Sequence, residues 1–140
     1  MKIQSIVPML ATGEIEESIR FYRDVLGFEL RDKFESGGRL WWCEIARDGR
    51  SIMLTQHEVD VHAPGARSGF AQTSINVYLS EGVETLHERL VGEGRAVSEL
   101  RVTFYGMKEF DLKDPSGYSV LIGEATSEPP TVVDENAPPF

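Results

Sequence analysis

Gly106-Met-Lys-Glu-Phe-Asp-Leu-Lys-Asp-Pro-Ser-Gly-Tyr-Ser-Val-Leu-Ile-Gly-Glu124 decides the fold. From Met107 to Lys113 the residues alternate, Phe110 and Leu112 on one face, Glu109 and Asp111 on the other, which predicts a half-buried strand. Asp114-Pro115-Ser116-Gly117 has the chemistry of a reverse turn: Pro fixes φ at the second position and Gly releases the fourth. Tyr118 to Ile122 is aromatic, β-branched and apolar, and predicts the returning strand. Phe110 and Leu112 should therefore pack on a helix, leaving Glu109 and Asp111 on the opposite side.

Upstream, the same pattern recurs. Leu40 to Ala46 and Ser51 to Thr55 flank Asp48-Gly49, a strong two-residue hairpin signal. An even loop pairs Glu44 with Met53 and Trp42 with Thr55, all on one side of the sheet; a three-residue bulged turn would reverse that face.

Before this hairpin, Lys2 to Leu10 reads as a strand that Pro8 confines to an edge or an early end. Gly13, Glu14, Glu16 and Glu17 open a helix at the positive end of its dipole. Ile15, Ile19, Tyr22 and Leu26 supply its buried stripe, and Gly27 its cap. Phe28 to Phe34 is a further strand, turned by Ser36-Gly37-Gly38. Gln56 to Ala71 is a loop. After it, Gln72 to Leu79 predicts a strand with Ser74, Asn76 and Tyr78 on one face. A second helix carries Val83, Leu86 and Leu90 inward and ends at Gly92 and Gly94, and short strands follow between Arg95 and Val102. The order is thus strand, helix, three strands, twice, at an offset of about 67 to 68 residues. Residues 125–140, with Pro129, Pro130, Pro138 and Pro139, read as an extended or disordered acidic tail.

With 140 residues, 41% of them hydrophobic, the chain is long enough for one domain with its own core. The net charge of −9 argues against nucleic acid or an anionic membrane as partner and favours cationic ligands. Glu124, Glu128, Asp134 and Glu135 contribute four of those charges near the C-terminus, so the rest of the chain carries about −5. Cys43 is the single cysteine; it excludes an intrachain disulfide, fits a reducing cytoplasm, and inside a strand reads as a buried structural thiol. No signal-peptide pattern or membrane-spanning run is present.

The segments Val7-Pro-Met-Leu10, Ser18-Ile-Arg-Phe-Tyr-Arg-Asp-Val-Leu-Gly-Phe28 and Glu109-Phe110 through Asp114-Pro-Ser-Gly117 resemble the vicinal oxygen chelate superfamily, the glyoxalase, bleomycin-resistance and dioxygenase proteins. The resemblance covers roughly residues 3–124. It implies an α+β fold: two βαβββ modules, about 3–56 and 72–124, forming a curved mixed sheet around a cleft with the helices outside. It also implies a homodimer whose clefts use both chains. Metalloenzymes of this superfamily carry His or Glu at four cleft positions, which correspond here to Val7, Met53, Ser74 and Leu121. Serine alone cannot hold a divalent cation, which needs several oxygen or nitrogen donors. The expectation is therefore no metal, no cofactor and no catalytic residue, as in the drug-binding members linked to antibiotic resistance.

The ligand-binding face should comprise Trp42, Glu44, Met53, Ser74, Asn76, Tyr78, Glu109, Asp111 and Leu121, a pocket of aromatic rings and carboxylates for a cationic or aromatic compound. Phe104-Tyr105 reads either as a loop at the cleft mouth or as cover for an edge strand. The alternative is a glyoxalase- or dioxygenase-like enzyme, a lyase or oxygenase with a non-standard or absent metal site. His57-Glu-Val-Asp-Val-His62 matches no established metal spacing and reads as a solvated loop. His87 reads as a helix-flank residue.

Overall fold

The computed structural model describes residues 1–57 and 73–131. The chain divides into two compact units, Met1–Val61 and His62–Phe140.

In the first unit the elements are β1 (Met9–Thr12), α1 (Ile15–Leu26), β2 (Glu29–Ser36), β3 (Arg39–Arg47) and β4 (Arg50–Gln56). The sheet order is β1-β4-β3-β2, with β1 parallel to β4 and the other pairs antiparallel. Arg47 pairs with Arg50, so Asp48-Gly49 is a two-residue turn, and both residues have positive φ (50° and 75°). The even register puts Glu44 opposite Met53 and Trp42 opposite Thr55, the even-loop alternative of the two that the sequence left open. α1 packs on β3 and β4 through Ile15, Ser18, Phe21, Tyr22, Val25 and Leu26, against Cys43, Ile45, Ile52 and Leu54. Ile19, expected in that stripe, is only half-buried.

The expected first strand, Lys2 to Leu10, is shorter and later. Its ladder begins at Met9, directly after Pro8, whose carbonyl accepts from the Met53 N–H at 2.8 Å. Proline has no N–H to donate back, and residues 1–6 are exposed.

The second unit repeats the plan with β5 (Ser74–Leu79), α2 (Val83–Gly92), β6 (Arg101–Val102), β7 (Met107–Lys113) and β8 (Ser119–Ala125), in the order β5-β8-β7-β6. Phe110, Leu112, Val120 and Ile122 are buried, and α2, with Val83 and Leu90 inward, packs on β7 and β8. Asp114 is buried at the turn, where its Oδ1 accepts from the Ser116 and Tyr118 N–H groups, both at 2.9 Å. Between Arg95 and Val102 only Arg101–Val102 forms a strand, preceded by a single bridge between Val97 and Leu112. Beyond β8 the chain stays attached through residue 131: Thr126 donates to the Gly106 carbonyl, and Thr131 exchanges hydrogen bonds with Val102.

Each helix begins on a side chain from the end of its own sheet. Gln56 Oε1 accepts from the Ile15 N–H at 3.1 Å, and Glu124 Oε2 from the Val83 N–H at 2.9 Å. Ile15 and Val83, like Gln56 and Glu124, are 68 residues apart, so the repeat extends to its capping contacts.

Candidate functional site

The candidate site residues fall on the helix-free faces of the two sheets. In the first unit, paired positions make two rows across the strands. One runs Met9, Met53, Glu44 and Asp32; the next runs Ala11, Thr55, Trp42 and Phe34. Trp42, Glu44 and Met53 are half-buried. Glu44 is engaged: the Ser51 hydroxyl donates to its Oε1 at 2.8 Å, and the Arg31 guanidinium stands 3.6 Å away.

The corresponding rows of the second unit carry different chemistry. Asn76, Leu121 and Asp111 form one; Tyr78, Gly123, Glu109 and Arg101 form the other. Ser74 lies at the start of β5, where its hydroxyl bonds Asn76 Oδ1 at 3.2 Å. Tyr78 leaves 66% of its surface exposed.

Arg101 and Tyr105 organise this face. Arg101 Nη1 donates to Asp111 Oδ1 at 3.0 Å and to Ser98 Oγ at 3.2 Å, while Nη2 donates to Glu109 Oε1 at 3.2 Å. The Tyr105 hydroxyl donates to the same Glu109 oxygen at 2.8 Å. Ser98 anchors the group from behind: its hydroxyl accepts from the Asp111 N–H at 2.9 Å, and its carbonyl bonds His87 Nε2 at 2.9 Å. His87 also stacks edge-on against Phe110, so it supports the core from the helix flank.

Glu109 is only 2% exposed, against the expectation of an open cleft carboxylate. The physical reason is the Thr103–Gly106 turn. The Thr103 and Met107 backbones close a tight hairpin, Gly106 takes φ of 81°, and Tyr105 is carried back over β7. Burial of the hydroxyl end and the adjacent carboxylate push the Tyr105 phenol up to about 12, although half its side chain is exposed. The sequence left Phe104-Tyr105 open between a cleft-mouth loop and cover for an edge strand, and did not single out Arg101. The available signal was spacing: three residues, 104–106, between a paired Thr103 and Met107 set Arg101 directly across from Glu109.

Among the described residues, no three His, Cys, Asp or Glu side chains are grouped so as to hold a metal ion. Of the four residues that the resemblance equates with metal-ligand positions, Val7 precedes β1, Met53 and Leu121 offer a thioether and an alkyl group, and Ser74 is exposed at a strand end. That donor set does not fit a hard divalent cation. Of the His57 to His62 segment, only His57 is described, exposed beyond β4; the rest lies outside the described residues.

No helix of the described residues is long and apolar enough to cross a membrane. An iron-dependent extradiol dioxygenase of Rhodococcus jostii is 30% identical over 132 residues, covering 82% of this chain; the chain spans only 41% of that relative's length. Among solved structures, a lactoylglutathione lyase from Agrobacterium tumefaciens superposes with a TM-score of 0.64 at 21% identity, over 88% of this chain and 95% of that one. An antibiotic binding protein from a Streptomyces species gives 0.63 at 20% identity, over 90% and 100%. The family model for the glyoxalase/bleomycin resistance protein/dioxygenase superfamily matches residues 2–122, and the chain, with its two βαβββ units, belongs to that superfamily.

Proposed function

We propose that the protein is a metal-free small-molecule binding domain of the bleomycin-resistance type, which sequesters a cationic or aromatic compound. The observation that carries this reading is the set Val7, Met53, Ser74 and Leu121 at the positions where metalloenzymes of the superfamily hold their ion. The likeness to an antibiotic binding protein supports it, and so do the ring and carboxylate groups of the two helix-free faces: Trp42 and Tyr78 offer aromatic surfaces, Glu44 and Asp111 negative charge. On this reading residues 1–124 work as one domain with 125–140 as a tail, and the protein is a cytoplasmic homodimer. A second reading, an enzyme related to the extradiol dioxygenases, rests on the Rhodococcus relative.

Elemental analysis of the purified protein separates the two, run beside a thermal-shift screen of antibiotics and aromatic cations. The binding reading expects less than about 0.1 equivalent of Fe, Mn, Ni or Zn and a melting temperature that rises with ligand concentration. Near-stoichiometric metal, or oxygen uptake with a catechol, would replace it with the enzyme reading.

A further inference from the structure

Among the described residues, one buried side-chain polar atom has no hydrogen bond: Oε2 of Glu109. The other oxygen of the same carboxylate is held twice, by Tyr105 and Arg101. A buried acceptor left without a partner is costly, and a charged one more so. The fold itself does not demand a carboxylate here. The equivalent position of the first unit, on the same face and the same row of its sheet, is Trp42. A native chain that keeps such an acceptor invites a partner from outside.

Charge and space say what kind of partner. Arg101 is shared by Glu109 and Asp111, so the three side chains carry one surplus negative charge. An ionised carboxylate oxygen only accepts, so its partner must donate. Directly across from Glu109 stands Gly123, and next to Gly123 stands Tyr78. A Cβ at Gly123 would lie 3.5 Å from Glu109 Cβ and 3.1 Å from the Met107 methyl, so the absence of a side chain there keeps the surface beside the carboxylate low. The Met107 methyl lies over it, and an unbranched thioether is readily displaced. Tyr78 and Glu109 are two strand spacings apart, about 9–10 Å, which is about the length of a ring bearing one nitrogen group.

We infer that Glu109 Oε2 is the anchoring acceptor for a charged N–H donor, an amidinium, guanidinium or primary ammonium, on an aromatic ligand lying across Gly123 against Tyr78. Arg101 and Tyr105 are positioning residues: they fix Oε1 so that Oε2 remains the free oxygen. This assignment rests on the small-molecule binding reading above.

Three probes of one size separate its parts by calorimetry on the full chain. Benzamidine carries charge and N–H, phenyltrimethylammonium charge without N–H, and benzamide N–H without charge. Benzamidine is expected to bind at least tenfold tighter than either of the others. Glu109→Gln should erase that preference, and Glu109→Asp, which keeps the charge but withdraws the oxygen by one methylene, should erase most of it. Circular dichroism confirms that each variant is folded; should one not be, the other carries the test. Equal binding of benzamidine and phenyltrimethylammonium, unchanged by either substitution, overturns the anchor while leaving the binding reading intact. No binding of any probe at millimolar concentration overturns both.

Discussion

Arg101 is expected to be costly to lose, and its cost should depend on Glu109. Arg101→Met keeps the stem and removes the guanidinium, with its bonds to Asp111, Glu109 and Ser98. Asp111 is partly exposed and recovers water, but Glu109 is 2% exposed and keeps only Tyr105. Removing one partner of a buried ion pair costs about 3–5 kcal/mol. The Arg101 side chain leaves 29% of its surface in solvent, so the pair is partly screened and the expected loss is about 2–3 kcal/mol. At about 2.1 cal/mol/K per residue, unfolding entropy for a chain of 140 residues converts this to a melting temperature lower by about 8 °C.

The decisive comparison is the double variant Arg101→Met/Glu109→Gln. A neutral amide at 109 no longer strands a charge, so the double variant should be more stable than Arg101→Met alone by about 1 kcal/mol or more. Glu109→Gln alone, with Arg101 still paired to Asp111, should cost about 1 kcal/mol. Urea unfolding of all four proteins, followed by circular dichroism, gives the cycle. If Arg101→Met costs less than about 1 kcal/mol, or if the two losses simply add, the buried-charge account is wrong and Arg101 acts through the packing of its stem.

Three further outcomes follow from the same structure. Cys43 is fully buried, and burial pushes its thiol up to about 11. A thiol reagent at pH 8 should therefore label it only when urea unfolds the chain; rapid labelling of the native protein would contradict the core assignment. Because the folded thiol holds its proton more tightly than the unfolded one, the associated stability is complete below pH 9 and is lost as pH rises through about 11. Gln56→Ala and Glu124→Ala each remove the side chain that caps a helix start, and each should cost about 1–2 kcal/mol in urea unfolding, with the two losses additive.

What was legible in the sequence was what short-range chemistry fixes. Asp48-Gly49 admits a two-residue turn, and from that turn alone the register brings Glu44 to Met53 and Trp42 to Thr55. Alternation through Phe110 and Leu112 identified the helix-facing side of β7, and so the opposite side of Glu109 and Asp111. The Arg101 cluster left only a spacing signal, because β6 is two residues long and two residues carry no period. The burial of Glu109 was not legible, since it depends on a turn folding Tyr105 back over the strand. The caps were hidden for another reason: Gln56 and Glu124 each act 41 residues from the helix they start, and no local signature spans that distance.

The two units show how a repeated scaffold can separate framework from site. Their capping pairs sit at the same offset, and their middle strands bury equivalent apolar residues against equivalent helices. Their helix-free faces do not match. Where the first unit has Phe34, Trp42 and Thr55 in a row, the second has Arg101, Glu109 and Gly123. Folding can account for the first row, since aromatic and β-branched neighbours stabilise a sheet. It cannot account for the second, in which a buried carboxylate stands beside a glycine that adds no side-chain contact and weakens the strand. A difference that stability disfavours, at a position where the sister unit does without it, is what binding would require. On that ground Glu109, rather than the more exposed Glu44 or Asp111, is the carboxylate on which the proposed ligand should depend.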